Sequence, residues 1–375
     1  MTFPTPAMES FPVSDPSAAT AAVVTALRPH IRSMKGYIPG EQRNAPDVLK
    51  LNTNENPYPP SPRVFAALRE ALTADRLRKY PPPLGDEFRR VAARLYGLEP
   101  ECFLIGNGSD DLLTILTRAF VPPGGYLAAP MPGYLLYRTL ADIQGAVFVP
   151  VPFTPDWQLP EPWPVPQAHL TFLANPNSPS GTMVAPAAIR RLAETLAPAP
   201  LVLDEAYADF ADWNGLSLFH QLPNLIITRS MSKSYSLAGI RFGFAIARPE
   251  LIRELVKVKD SYNCDILSQT AAVAALEDQD YFQQVRARIC ATRQRLAEAL
   301  TRLGFQVTPS QANFVWCRRS DRPVRPIADE LARRNILVRY MNYDGYDGLR
   351  ISIGTEAETD RLLDALQSIL AGCSS

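Results

Sequence analysis

The stretches Leu-Val-Leu-Asp-Glu-Ala-Tyr, at residues 201–207, and Leu-Ile-Ile-Thr-Arg-Ser-Met-Ser-Lys, at residues 225–233, decide the fold. Each is a short apolar run that ends in polar residues, a pattern typical of strands buried on both faces of a parallel sheet. Asp204 closes the first predicted strand, and Lys233 follows the second after a short loop. Because reactive groups in such sheets lie beyond the carboxyl ends of the strands, we expect an acid and an amine to meet at one sheet edge.

Strands alternate with helices on both sides of these two runs. Further strands are predicted at 103–106, 126–129, 146–152 and 169–174, with helices between them. We therefore predict an α/β fold in which a large domain holds a mostly parallel, doubly wound sheet.

After residue 265 the pattern changes to a long helical region, broken near residues 278–280, and then to strands and helices of a second kind. This change predicts a smaller α+β domain. The predicted divisions are an N-terminal arm and helix that pack with the small domain (1–48), a large cofactor-binding domain (49–265) and the small domain (266–375).

The charge of the chain is balanced, with 38 Lys and Arg residues against 38 Asp and Glu residues. This balance gives no electrostatic reason to expect a nucleic-acid or membrane partner. No apolar run reaches membrane-spanning length and residues 1–20 lack the features of a signal peptide, so we expect a cytoplasmic protein. The five cysteines and three histidines are scattered, which argues against a disulfide framework and a zinc site.

The residues around the two predicted strands have side chains that suit one type of ligand. A lysine amine such as Lys233 can form a Schiff base with an aldehyde, and a carboxylate such as Asp204 can keep a pyridine nitrogen protonated. Two serines and an arginine, Ser230, Ser232 and Arg241, can bind a phosphate. Together these groups indicate a site for pyridoxal 5'-phosphate, whose ring serves as an electron sink.

A second phosphate-binding feature lies upstream. The run Gly-Asn-Gly-Ser-Asp at 106–110 follows a predicted strand and starts a predicted helix, with Ser109 and Asp110 as cap residues. The free amides and the dipole of a helix N-terminus favour an anion.

These motifs resemble a known family. Residues 230–241 are similar to the lysine signature of the class II pyridoxal-phosphate aminotransferases of fold type I, and from about Leu27 the chain resembles the histidinol-phosphate aminotransferases. The segments that carry the resemblance are Gly-Tyr-Ile-Pro-Gly at 36–40, Leu-Asn-Thr-Asn-Glu-Asn-Pro at 51–57, Arg-Lys-Tyr-Pro at 78–81, Asp-Glu-Ala-Tyr at 204–207 and Leu-Arg-Ile-Ser-Ile-Gly at 349–354.

The resemblance implies a role for each matching residue. Lys233 would be the Schiff-base lysine and proton shuttle, Asp204 would pair with the ring nitrogen, and Tyr207 would donate to the ring hydroxyl. The other implied cofactor contacts are Ser109, Asp110, Tyr134 on the ring face, Asn177 or Ser178, Ser230, Ser232, Arg241, and Tyr80 from the partner subunit of a homodimer.

One implied contact departs from the family pattern. The family usually has asparagine before the second proline of Asn-Pro-Asn-Asn-Pro-Thr-Gly, where this chain has Ser178. A serine hydroxyl is shorter than an asparagine amide and donates one bond only. Either Asn177 or a water is expected to compensate.

For the substrates, the resemblance implies that Tyr37, Arg339 and Arg350 bind the phosphate of histidinol phosphate, in a site that also accepts 2-oxoglutarate. Arginine suits both phosphate and carboxylate because its guanidinium binds them through two parallel hydrogen bonds. The activity implied is histidinol-phosphate transamination in histidine biosynthesis.

Three alternatives stay open at this point. An aromatic amino-acid aminotransferase would use the aromatic residues at 340–343, and a phospho-amino-acid decarboxylase would need the same arginines. A non-catalytic protein that kept the fold would have no use for Lys233.

Overall fold

The computed structural model describes residues 16–36, 40–41, 43, 45, 47–343 and 345–372, which form helices and strands in alternation. The helices of this described part are α1 (Pro16–Thr25), α2 (Pro29–Ser33), α3 (Pro62–Ala71), α4 (Ala74–Leu77), α5 (Asp86–Tyr96), α6 (Ser109–Phe120), α7 (Leu136–Gln144), α8 (Pro186–Leu196), α9 (Leu216–Phe219), α10 (Pro249–Leu255), α11 (Ile266–Glu277), α12 (Gln279–Arg302), α13 (Arg325–Arg333) and α14 (Glu356–Gly372). The strands are β1 (Leu49–Leu51), β2 (Phe103–Gly106), β3 (Tyr126–Met131), β4 (Val147–Pro152), β5 (Leu170–Ala174), β6 (Leu201–Asp204), β7 (Leu225–Ser230), β8 (Gly243–Ile246), β9 (Gln306–Thr308), β10 (Phe314–Arg318), β11 (Ile336–Tyr343) and β12 (Tyr346–Ser352).

The larger sheet has seven strands in the order β2-β8-β7-β6-β5-β3-β4. Strands β3 to β7 run parallel to one another, whereas β8 is antiparallel to both β7 and β2. The register places Ala174, Asp204 and Thr228 side by side at the carboxyl ends of the three central strands. The expected mostly parallel sheet is therefore present, with the acid of β6 at its edge.

Both faces of this sheet are covered, because its central strands are apolar on both sides. Leu203 and Ile227 belong to a core shared with α5, α8 and α11, whereas Val202 and Ile226 belong to a core shared with α6, α7 and α10. Successive strand residues point to opposite faces, so a continuous apolar run fills both cores. The sheet is doubly wound, as predicted.

The smaller sheet has five strands in the order β1-β11-β12-β10-β9, and its core includes apolar residues of α12, α13 and α14. The last of these helices begins with a reciprocal cap. The Glu358 carboxylate accepts from the Thr355 amide at 2.7 Å, and the Thr355 hydroxyl accepts from the Glu358 amide at 3.2 Å. This is the capping box that the sequence pattern indicates.

The domain divisions differ from the predicted ones at both ends. Strand β1 pairs in parallel with β11, Leu49 opposite Ile336, so residues 49–51 belong to the small sheet. Helix α11 contributes its buried apolar residues to the core of the large sheet, and Val285 is the first residue of α12 that is buried in the small-domain core. The reason is compositional: the run at 271–276 is apolar throughout and therefore needs a large core to cover it.

The N-terminal segment also differs from the prediction. Helix α2 contacts α7 of the large domain, and the Arg28 guanidinium donates to the Ile143 carbonyl at 3.0 Å. Of the residues described in this segment, Arg43 reaches the small domain, where it donates to the Ala332 carbonyl at 3.0 Å. Within the described ranges, no helix has the length and apolar character needed to cross a membrane.

Candidate active site

One pocket of about 330 Å³ lies beyond the carboxyl ends of the central strands, between the two sheets. It gathers most of the residues that the sequence singled out. The predicted site residues in its wall are Ser109, Asp110, Tyr134, Ser178, Asp204, Tyr207, Ser230, Ser232, Lys233, Arg241, Arg339 and Arg350.

Asp204 forms the floor of this pocket at the end of β6. Its side chain accepts from the Tyr137 hydroxyl at 2.7 Å and from the Thr228 hydroxyl at 3.3 Å. Burial raises the pKa of the Asp204 carboxyl to about 6, although both hydrogen bonds act in the opposite direction. Such a buried acid is poised to meet a cation, because a positive charge in the pocket would restore its ionised form.

Glu205, next in the chain, points away from the pocket. Its carboxylate accepts from Arg229 Nε at 3.0 Å and from Arg229 Nη2 at 2.7 Å. Adjacent strand residues face opposite sides, which is why only Asp204 reaches the pocket.

Lys233 enters from the loop after β7. Its Nζ donates to the Thr53 carbonyl at 3.1 Å, and its own carbonyl accepts from the Asn56 amide at 2.9 Å. Burial, reinforced by the positive charge of Arg350, lowers the pKa of the Lys233 amine to about 8. A larger fraction of this amine is therefore uncharged and nucleophilic near neutral pH than for an ordinary lysine.

An anion cradle lies at one end of the pocket, where α6 begins. Helix α6 has no side-chain cap at Gly108, so the amides of its first turn are left for another acceptor. Arg241 Nη1 donates to the Ser232 hydroxyl at 3.3 Å, and Arg241 Nη2 lies 3.7 Å from the Asp110 carboxylate. Backbone amides, hydroxyls and a guanidinium thus converge as a phosphate site requires.

Gly108 makes this cradle possible. It has a φ of +79°, and a β-carbon built there would lie 2.5 Å from an Arg241 guanidinium nitrogen. The glycine therefore supplies both the left-handed backbone and the space in which Arg241 lies.

The opposite wall carries two arginines from the small sheet. Arg339 of β11 and Arg350 of β12 are direct cross-strand partners in an antiparallel pair. Arg350 also donates to the Ser178 hydroxyl at 3.1 Å and to the Asn52 carbonyl at 2.9 Å. Like charges directly opposite each other are unfavourable, so this pairing favours an anion between them.

Two tyrosines complete the wall. The Tyr207 hydroxyl accepts from the Asn54 amide at 3.0 Å. The Tyr134 hydroxyl donates to Asp110 at 3.2 Å. Both rings line the pocket between the acid and the cradle.

Two of the predicted residues that the structure describes, Asn177 and Tyr80, are not in this wall. Asn177 is buried, and its amide donates to the Pro132 carbonyl after β3 at 3.2 Å and to the Ser180 hydroxyl of its own loop at 2.9 Å. The expectation that Asn177 or a water compensates for Ser178 stays a prediction. Tyr80 is 80% exposed and stacks on Tyr262 with ring centroids 4.4 Å apart. Tyr37 lies outside the described residues.

Several residues of the site were not identified from the sequence. Tyr137 touches Asp204, and Thr53, Asn54 and Glu55 line the pocket near Lys233. The tyrosine spacing at 134 and 137 and the polar run at 52–56 were the available signals. Neither reveals its partner, because both contacts join distant parts of the chain.

These side chains fit pyridoxal phosphate, the cofactor that the resemblance implies. The cradle that Gly108 leaves open offers donors for a phosphate, the buried acid offers a partner for a ring cation, and Lys233 offers an amine for an aldehyde. Among the described residues, no group of three metal-binding side chains comes together.

Comparison with known proteins agrees with this geometry. Residues 46–366 match the family model for aminotransferase class I and II. The chain is 50% identical over 337 residues to a histidinol-phosphate aminotransferase of Rhodopirellula baltica, covering 89% of this chain and 92% of that protein. It is 46% identical over 348 residues to one of Syntrophotalea carbinolica, covering 92% and 99%.

A solved structure is similar over nearly the whole chain. It is the histidinol-phosphate aminotransferase from Sinorhizobium meliloti in complex with pyridoxal-5'-phosphate, with a TM-score of 0.84 at 28% identity, covering 93% of this chain and 98% of that one. This similarity confirms the predicted fold.

Proposed function

Because this chain belongs to the class I and II aminotransferase family and, within it, to the histidinol-phosphate aminotransferases, we propose that it transfers an amino group between histidinol phosphate and 2-oxoglutarate with pyridoxal phosphate as cofactor. The observation that carries the proposal is the shared pocket of Lys233, Asp204 and the paired arginines Arg339 and Arg350. The first two suit the cofactor, and the arginines suit an anionic substrate.

Pyridoxal phosphate supplies an electron sink for the bond that breaks at the substrate carbon. Asp204 holds the negative charge that keeps the ring nitrogen protonated. The cradle of Ser109, Ser232 and Arg241 holds the phosphate and so fixes the position of the ring.

Lys233 acts twice. Its amine would hold the cofactor before the substrate arrives. Afterwards the same amine would move the proton between the substrate α-carbon and C4′ of the cofactor. An amine with a pKa near 8 suits both directions, because a general acid–base group works best when its pKa lies near the operating pH.

Arg339 and Arg350 bind the substrate anion at the far wall. The phosphate of histidinol phosphate and a carboxylate of 2-oxoglutarate are both accepted by the guanidinium pair, which allows one site to serve both half-reactions. Ser178 holds Arg350 in place from the loop after β5.

The proposed enzyme is a homodimer in which Tyr80 reaches the cofactor phosphate of the partner subunit. The support is its exposure: a large aromatic side chain that is 80% exposed and stacked on a second exposed tyrosine is suited to a protein interface.

A donor and acceptor panel tests the substrate assignment, run on the wild type and on Arg339→Ala. We expect Arg339→Ala to raise KM for histidinol phosphate about 10- to 100-fold, because a charge-assisted hydrogen bond contributes about 1.5–3 kcal/mol. KM for an unphosphorylated aromatic donor should change much less. Arg333→Ala, an exposed arginine of α13, is the matched control and should leave both unchanged.

Other outcomes of the panel would contradict the assignment. Release of carbon dioxide without a keto acid would indicate a decarboxylase, and a preference for tyrosine or phenylalanine would indicate an aromatic aminotransferase. The aromatic option has weaker support, because Tyr340 lies against Arg325 at 5.0 Å, and Met341 is the residue of 340–343 that lines the pocket.

Tyr137→Phe tests the support behind Asp204. The hydroxyl of Tyr137 stabilises the Asp204 carboxylate, so its loss should raise the pKa of that carboxyl further and weaken its hold on the ring nitrogen. We expect kcat/KM to fall about 10-fold and cofactor affinity to fall severalfold, as for loss of a hydrogen bond to a charged group. Equilibrium dialysis with pyridoxal phosphate measures the affinity. Tyr126→Phe, at an exposed position of β3, is the control, and equal behaviour of the two variants would refute the role.

A further inference from the structure

Glu55 lines the pocket, yet none of the roles above uses it. Its side chain is 41% exposed, and both carboxylate oxygens are engaged. Lys50 Nζ donates to Oε1 at 2.6 Å, and the Thr53 hydroxyl donates to Oε2 at 2.7 Å. These hydrogen bonds hold the pKa of Glu55 below its usual value despite the opposing effect of burial, so the group is a carboxylate at neutral pH.

A short chain of hydrogen bonds leads from this carboxylate to the reactive amine. Glu55 holds the Thr53 side chain, and the Thr53 carbonyl accepts from Lys233 Nζ at 3.1 Å. The position of the Thr53 carbonyl thus depends on the hydrogen bond between Glu55 and the Thr53 side chain. The amine is 180 residues away along the chain, and the contact exists because β1 leads this segment into the pocket.

The charges around Lys233 oppose one another. Arg350 and Arg241 disfavour the protonated amine, whereas the carboxylates of Glu55 and Asp110 favour it. Asp204 lies on the pocket floor, and the Tyr207 ring lies 6.0 Å from Nζ. Each of these two acids also pairs with another cation, Glu55 with Lys50 at 2.6 Å and Asp110 with Arg241 at 3.7 Å. Glu55 is the one that is joined to the lysine through the hydrogen bonds of Thr53.

We infer that Glu55 is a positioning residue for Lys233: through Thr53 it fixes the carbonyl that receives the amine, and its charge favours the protonated amine whenever Lys233 is not joined to the cofactor. The inference rests on the proposed function, since it concerns the lysine that alternates between a cofactor-bound and a released state. A residue that moves protons needs a fixed position and a pKa near the operating pH, so that it both accepts and releases the proton.

The test uses full-length apoenzyme and free pyridoxal phosphate. The Lys233 amine condenses with the cofactor aldehyde to form an imine and release water, and only the uncharged amine attacks. The rate of capture, followed by absorbance, therefore rises with pH through the pKa of Lys233, with a midpoint near pH 8. The ionisations of the free cofactor are the same for every variant, so a difference between midpoints belongs to the protein.

Glu55→Gln removes the carboxylate charge but keeps the shape of the side chain. We expect the midpoint of capture to move to lower pH by about 0.5 to 1 unit, because an acid that favours the charged amine has been lost. Glu55→Asp keeps the charge and should hold the midpoint within a few tenths of a unit of wild type. Glu161→Gln, an exposed glutamate paired with Arg191 on the surface, should match wild type.

An unchanged or raised midpoint in Glu55→Gln, with the melting temperature of the apoenzyme intact, would overturn the inference. So would an equal fall in Glu55→Asp, which would mark the effect as one of shape alone. If the wild type captured no cofactor at all, the proposed function itself would fail. If the wild type captured cofactor normally and Glu55→Gln had the same midpoint, the inference about Glu55 alone would fail.

Discussion

Lys233→Ala is expected to lower kcat for histidinol phosphate by at least about 10⁴-fold, because the variant loses the residue that we propose as both the covalent holder of the cofactor and the proton shuttle. Among the described residues of the pocket wall, Lys233 is the one with a side-chain amine. The amine lies on the Thr53 carbonyl inside the pocket, and the other cations of the wall are arginines, which stay protonated under all relevant conditions. The measurement is a steady-state assay with both substrates.

A second readout separates chemistry from folding. Borohydride reduction should fix pyridoxal phosphate to the wild type and not to Lys233→Ala, while both proteins melt at similar temperatures. Lys257→Ala, which removes an exposed lysine paired with Glu254, should retain wild-type activity and labelling. Residual activity within about 100-fold of wild type in Lys233→Ala would mean that another group performs the proton transfers.

Asp204→Asn is expected to lower kcat by about 10²- to 10⁴-fold, since asparagine keeps the size of the side chain but not the charge that we propose to hold the ring nitrogen protonated. The same variant should be more stable than wild type without cofactor. The pKa of Asp204 in the folded protein, about 6, lies above that of an unfolded aspartate, about 4, because the buried carboxyl resists ionisation. The folded state therefore keeps its proton longer, and stability falls as pH rises from about 4 to about 6.

Above that range the wild-type apoenzyme carries the full cost of a buried charge, about 1 to 3 kcal/mol, which asparagine avoids. Melting curves of the two apoenzymes should thus differ at pH 7.5 in favour of Asp204→Asn and converge near pH 4. Asp329→Asn, an exposed aspartate of α13, provides the control. A wild-type apoenzyme that melts higher than Asp204→Asn at pH 7.5 would show that the carboxylate is structural.

The catalytic end of the large sheet could be predicted from the sequence because its information is local. Strands β6 and β7 are continuous apolar runs, and Asp204 and Lys233 follow them within a few residues. The turn before α6 is likewise marked by its own glycines. In each case the reactive residues lie where an apolar run or a glycine turn ends, and they can be identified without knowledge of contacts between distant segments.

What escaped prediction depends on contacts between distant segments. The Tyr137 hydroxyl meets Asp204 across 67 residues, and the facing of Arg339 and Arg350 depends on the register of the β11–β12 pair. The placement of β1 in the small sheet follows from its pairing with β11, which three residues of sequence do not reveal. Asn177 was assigned by its place in a motif, which does not reveal that its amide donates to Pro132, 45 residues earlier, and to Ser180.

The route of the chain after β1 has a mechanical consequence. Strand β1 is bonded into the small sheet, and within five residues Asn54 meets Tyr207 and Asn56 meets the main chain of Lys233. The small sheet is therefore tethered directly to the reactive groups of the large one. A movement of one sheet relative to the other that widens the pocket entrance would displace residues 52–56 and with them the contacts to Lys233. We therefore expect opening of the pocket and loosening of Lys233 to occur together.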